Sequence, residues 1–312
     1  MQLLIFLSLV AALLVCFVLG ANNASVCIRT SSGVWSLEYL MLAIVGGLGV
    51  VLGTIIEGPK LSNSIYGGVL ANQSDKATAI LLLATLIVML VATTLKLPLS
   101  LTQAMVGAAL PVGLSLQLGV NWSFLVLVGA SWISTPLVAG VFSIALHAII
   151  MKTNRRIGDI FQRTRLYVAV IMIGSFYAGY ALGANGVGLI QGISLPSIGW
   201  VLLLSASLSV SAVAGIFLFG YGVTRTVSER ILTLAGTAAL AAQLGGALTV
   251  HLFTQFGVPV SIIQAVIGGI IGIGWTKDIV IMNTRVVLRV VLGWMMAPLI
   301  GLGLASLLLA LT

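Results

Sequence analysis

Charge is the scarcest property of this 312-residue chain: only 6% of its residues are Asp, Glu, Lys or Arg. Soluble domains carry roughly a quarter, so the chain cannot cover a water-facing surface of ordinary size. That excludes a soluble enzyme, a nucleic-acid binder and a disordered segment. Cysteine is nearly absent too. Cys16 lies inside an apolar run and Cys27 just past it, with no Cys or His at ligand spacing, so both read as small unpaired hydrophobes. The six acids (Glu38, Glu57, Asp75, Asp159, Glu229, Asp278) fall at or beyond the ends of apolar runs, where solvated loop charge is the expectation. His147 and His251 sit on apolar runs and read as buried structural residues. What fills the chain instead is apolar, 60% of residues with 36 Gly and 7 Pro and a mean hydropathy of +1.23. This is the composition of an all-α polytopic membrane protein.

A spanning helix needs about 20 apolar residues. Such runs occupy roughly 3–19, 37–56, 77–95, 98–118, 122–150, 167–183, 199–222, 231–254, 258–276 and 286–311. Gly, Pro and Ser interrupt several of them, which leaves re-entrant pairs open beside simple spans. The first run has no basic residue ahead of it, since the first is Arg29, and reads as a membrane helix rather than a signal peptide. Alternating crossings place twelve of the 14 Lys and Arg on one side and only Lys60 and Lys76 on the other. Basic loops stay cytoplasmic. Both termini are therefore expected on the extracellular or periplasmic face of the plasma membrane, with the basic connector 151–166 inside as an anchor.

The chain repeats itself. Gly20-Ala21-Asn22-Asn23 returns as Gly183-Ala184-Asn185-Gly186 at an offset of 163 residues. Pro98-Leu99-Ser100 returns as Pro259-Val260-Ser261 at 161, and Trp132 with Pro136 as Trp294 with Pro298 at 162. Residues 1–150 and 167–312 thus read as two copies joined by 151–166. Each copy holds five runs, an odd number, so the second enters the membrane inverted. In inverted-repeat carriers the substrate sits near the midplane, where broken helices from both halves meet. Alternating access needs this symmetry; receptors and membrane enzymes rarely do. Transport follows from the symmetry.

Polar groups sit at membrane depth in the repeated segments. Pro at a first helical position followed by Ser makes a helix N-terminus with free N–H groups. Two such termini facing the midplane suit an anion. The candidate substrate ligands are Asn22, Asn23, Ser100, Thr102, Gln103, Asn185, Ser261 and Gln264.

These segments resemble the inorganic phosphate transporter family, whose signature reads GANDxAN in each half and whose later motif reads GLPVSTTH. The resemblance covers nearly the whole chain, including Ser131-Trp132 to Pro136. It implies an inverted-repeat carrier for a tetrahedral oxyanion, driven by Na⁺ or H⁺, with no further cofactor; a homodimer is left open. The departures are systematic. The motif Asp falls on Asn23 and Gly186, its second Asn on Val26 and Leu189, and the closing His on Gln103 and Gln264. The family's helix Glu aligns with Gly46 and Gln243. Every titratable position of the motif is neutral here.

Neutral donors favour sulfate. Phosphate near neutral pH carries a proton that wants an acceptor, whereas sulfate offers acceptors only, and an unpaired buried group discriminates by up to ~10⁴-fold. A sulfate permease relative of the family is the expected type. A phosphate carrier coupled to Na⁺ or H⁺ and an uncoupled anion channel or uniporter are the alternatives. Arg29, six residues after Asn23, is a candidate gate or anion-attracting residue.

Overall fold

A computed structural model describes residues 2–24, 39–65, 67–95, 99–231, 236–276 and 284–312. Arg29, Cys27, Val26, Lys96 and Pro98 lie outside them. The described residues form twelve α-helices and two π-helical turns, with one isolated β-bridge between Leu70 and Val120. In chain order α1 is Gln2–Leu19, followed by a π-turn at Gly20–Ala24. Then come α2 (Tyr39–Ile56), α3 (Gly58–Ile65), α4 (Asp75–Thr94), α5 (Leu101–Ser115) and α6 (Trp122–Arg156). The second half runs α7 (Ile160–Leu182), a π-turn at Gly183–Val187, α8 (Gly188–Ile198), α9 (Val201–Ile231), α10 (Gly236–Gln255), α11 (Ile262–Thr276) and α12 (Thr284–Leu311).

Eight helical stretches are long and apolar enough to cross a bilayer. Two of the ten runs are not. α5 and α11 have 15 residues each, about 22 Å at 1.5 Å per residue, short of a hydrocarbon core of roughly 30 Å. Each packs along the preceding helix, so α4–α5 and α10–α11 are hairpins, the second turning at 256–261. These hairpins fall where Gly, Pro and Ser interrupt the apolar runs. The basic connector is shorter than its composition suggests, because α6 continues to Arg156 and α7 begins at Ile160, where Asp159 caps it.

Side-chain burial follows membrane logic. Leu3, Phe6, Ile133, Leu137 and Leu299 face outward, while Ser8, Thr54, Thr85, Ser143, Ser175 and Gln243 are buried. Small residues bring backbones together where oily side chains offer no net driving force. A Cβ on Gly53 would fall on the Tyr180 carbonyl, and one on Gly183 would fall on that of Val50. The same contacts recur one repeat away, with Gly215 on the Phe17 carbonyl and Gly20 on that of Ala212. Gly107 meets the Pro298 carbonyl as Gly268 meets that of Pro136. Helix pairing recurs in the same way. α2 packs on α7 as α9 packs on α1, and α6 grips the α10–α11 hairpin as α12 grips α4–α5. The sequence recurrence is therefore also a recurrence of contacts, and each half is clasped by the last helix of the other.

Candidate functional site

The second Gly-Ala-Asn segment is a π-turn within continuing helix rather than a helix break, and the first is a π-turn that follows α1, with the residues after Ala24 lying outside those described. α7, the second π-turn and α8 run unbroken from Ile160 to Ile198. Gly and Ala place no bulk in the widened turn, so one extra residue per turn fits and the Asn side chains are re-aimed inward. Such π-insertions occur often at functional positions. The break expected at the second Pro-Ser segment is real and forms a hairpin tip, whereas Pro98 of the first lies outside the described residues and α5 begins after Ser100.

The two asparagines that follow Gly-Ala hold equivalent bonds. Asn22 Nδ2 donates to Thr93 Oγ1 at 3.1 Å, and Asn185 Nδ2 donates to Thr254 Oγ1 at 2.9 Å. Asn185 does more: its Nδ2 also donates to the Val258 carbonyl at 3.2 Å, and its Oδ1 accepts from the Val260 N–H at 3.0 Å. It thereby pins the second hairpin tip. Ser100 and Ser261 cap α5 and α11, accepting from the N–H groups of Gln103 at 3.3 Å and Gln264 at 3.4 Å. The earlier N–H groups of each first turn have no partner within their helix. Thr102 Oγ1 donates to the Val260 carbonyl at 3.3 Å, so the tips of the two halves touch.

All eight candidate ligands are buried. Asn23, Thr102, Asn185 and Ser261 line one small central cavity, with Gly186, Leu19 and Leu182 beside them. Asn22 and Ser100 act one step back, as a pin and a cap. Gln103 and Gln264 are buried on the first turns of α5 and α11 and are not among the cavity's lining residues. The cavity leaves about 10 Å³ for water-sized centres, roughly one water, so these helices must part to admit a tetrahedral ion. Among the described residues, its lining contains no carboxylate, imidazole or ammonium group.

Among the described residues, the buried amide oxygens Asn23 Oδ1, Gln103 Oε1 and Gln264 Oε1 have no hydrogen-bond donor. The indole N–H groups of Trp132 and Trp294, equivalent in the repeat, are likewise buried and unpartnered. A buried polar group left this way costs about 1–3 kcal/mol.

Comparison with known proteins agrees with this geometry. The model of the phosphate transporter family matches residues 19–305. The chain belongs to the phosphate transporter family. A Methanocaldococcus jannaschii protein named provisionally as a phosphate permease is 29% identical over 299 residues, covering 95% of this chain and 94% of that one. The sulfate permease CysP of Bacillus subtilis is 23% identical over 301 residues, covering 94% and 84%. Among solved structures, a sodium-dependent phosphate transporter superposes with a TM-score of 0.85 at 19% identity, covering 98% of each chain. Family and fold are those of a membrane transporter, not an enzyme.

Sequence reasoning missed Glu57 and His251. Read as loop charge and packing, they meet at hydrogen-bond distance, Oε2 to Nε2 3.0 Å. No local signal announces that contact.

Proposed function

We propose that this chain is a permease for an inorganic tetrahedral oxyanion, with sulfate as its preferred substrate. The observation that carries the reading is the cavity lining, where Asn23 and Gly186 stand at the family's Asp positions and every polar group is neutral. Sulfate needs donors and supplies none, so Asn23, Thr102, Asn185 and Ser261 with the N–H groups opening α5 and α11 suit it. Asn22, Ser100, Gln103 and Gln264 complete the proposed set from just behind the cavity lining, and their buried polar groups come within reach once the helices part. Both kinds of relative, phosphate and sulfate permeases, are consistent with the oxyanion class. In purified form in liposomes, labelled sulfate trapped on one side should exchange with unlabelled sulfate on the other, and thiosulfate and molybdate should compete. Flux that only runs down a gradient, without exchange, would mark a channel instead.

A second reading has its own observation. The unpartnered oxygens of Asn23, Gln103 and Gln264 offer acceptors to the P–OH of a protonated phosphate. On that reading phosphate is the substrate, and its binding improves as pH falls.

The carrier is taken to work by alternating access between two inverted repeats, 1–150 and 167–312, in the plasma membrane. The recurrent glycine contacts and the reciprocal clasp of α6 and α12 support this. Na⁺ or H⁺ drives it, and a homodimer remains compatible with the fold. The one-sided distribution of Lys and Arg puts both termini outside. A tag at Thr312 should react with an impermeant label on intact cells; reaction only after permeabilisation contradicts this topology.

Arg29 is proposed as a gate or anion-attracting residue at the inner mouth. Arg29→Gln should raise the apparent KM for sulfate several-fold at low salt, and the difference should shrink as salt screens it. An unchanged KM at every salt concentration reduces Arg29 to a topology anchor.

A further inference from the structure

Glu57 stands at the junction of α2 and α3 with its side chain only 12% exposed. Three groups converge on its carboxylate. Lys60 Nζ donates to Oε1 at 3.1 Å, Gln255 Nε2 donates to Oε2 at 2.8 Å, and His251 Nε2 lies 3.0 Å from Oε2. The network closes on itself, since Lys60 Nζ donates to Gln255 Oε1 at 2.7 Å and the Tyr177 hydroxyl is 2.7 Å from His251 Nδ1. A neutral imidazole satisfies both ring contacts: Nε2–H donates to Glu57 and Nδ1 accepts from Tyr177.

The cluster adjoins the central site along α10. His251 follows Val250, which lines that cavity, and Gln255 follows Thr254, which accepts from Asn185. The chain then turns at Gly257, at φ 67°, directly against the Ser64 side chain of α3. The second hairpin tip is thus held from within by Asn185 and from outside by Glu57, Lys60 and Gln255. The groups come from both repeats, α2 and α3 from one and α7 and α10 from the other.

We infer that the Glu57–His251 pair is the proton-binding site through which this chain couples oxyanion transport to H⁺. The inference rests on the carrier reading above. Without an added proton the cluster holds Lys60⁺, Glu57⁻ and a neutral imidazole, with no net charge. Water on the Lys60 side delivers one proton. An N–H bond forms at His251 Nδ1, the Tyr177 hydroxyl turns from donor to acceptor, and the cluster gains one positive charge, one residue along α10 from the cavity-lining Val250. The proton belongs to the coupled pair rather than to one residue. That charge attracts the oxyanion, and by reciprocity a bound oxyanion tightens the proton. The neighbours contribute no rival seat. Lys60 on α3 and Tyr177 and Tyr180 on α7 face the pair, while α11 and the second π-turn carry no titratable side chain. On α6, His147 and Lys152 lie toward the other end of α10, where Ile150 meets Leu240.

The test uses the full chain in liposomes with labelled sulfate and an imposed pH gradient, acidic on the Lys60 side. The wild type should accumulate sulfate above equilibrium, with a lower KM as the pH on that side falls. His251→Gln should hold the high-pH KM at every pH, and Glu57→Gln, left with an unpaired Lys60⁺, the low-pH KM. Both variants should lose accumulation, with ratios falling to one, yet keep sulfate counterflow, which reports that they fold. Counterflow without gradient-driven accumulation in the wild type overturns the inference alone. Accumulation by His251→Gln equal to wild type, or KM shifts of the same sign in both variants, also overturns it. Absence of counterflow with sulfate and phosphate in the wild type removes the carrier reading, and the inference with it.

Discussion

Asn23→Asp should weaken sulfate binding by more than about tenfold, roughly 1.4 kcal/mol or more, and weaken phosphate binding less. Asn23 lines the central cavity and is buried. A carboxylate there faces a dianion where little water screens it, and at an effective dielectric near 20 a pair of unit like charges about 4 Å apart repel by about 4 kcal/mol. A protonated phosphate escapes part of that cost, because its P–OH donates to the new carboxylate. Binding measured by scintillation proximity on the purified wild type and variant decides it. Sulfate affinity that ignores the new Asp would mean that the anion does not sit beside Asn23.

The second large effect is on assembly. Gly53→Val and Gly215→Val should each prevent folding, or destabilise by more than about 3 kcal/mol, because the new side chain meets a backbone carbonyl that cannot move aside. The obstacles are the Tyr180 carbonyl for Gly53 and the Phe17 carbonyl for Gly215. Gly129→Val is the control, since nothing lies within 4 Å of its Cβ position. Thermal stability in detergent should leave the control near wild type and drop for both others by similar amounts. Similar losses test the equivalence of the two helix crossings, and tolerance at either glycine contradicts the close approach.

Much of this architecture is legible in the sequence because both signals involved are local or periodic. Hydropathy finds the membrane helices. The recurrence of Gly-Ala-Asn, Pro-x-Ser and Trp–Pro at one offset finds the pairs that later prove to make matching bonds, Asn22 to Thr93 and Asn185 to Thr254. Two features escape for physical reasons. Composition does not distinguish a π-turn from a break, since Gly and Ala permit both, and only the hydrogen-bond register separates them. The Glu57 cluster is invisible because its members are remote; Lys60 and Gln255, which bond each other, are 195 residues apart. An acid at a span end reads as solvated until the fold wraps α10 and α7 around it. The division of labour among the candidate ligands is also tertiary. Asn23 faces the cavity while its neighbour Asn22 bonds Thr93, a division set by what surrounds the π-turn and not by the residues themselves.

Competition by phosphate against labelled sulfate, measured on the wild type over a pH series, tests the central claim most directly. A site of neutral donors predicts that sulfate wins throughout, and that phosphate competes less well as pH falls and H₂PO₄⁻ replaces HPO₄²⁻. Phosphate that displaces sulfate at equal concentration, or that competes better as pH falls, would contradict the account and assign the buried amide oxygens of Asn23, Gln103 and Gln264 to a phosphate proton instead.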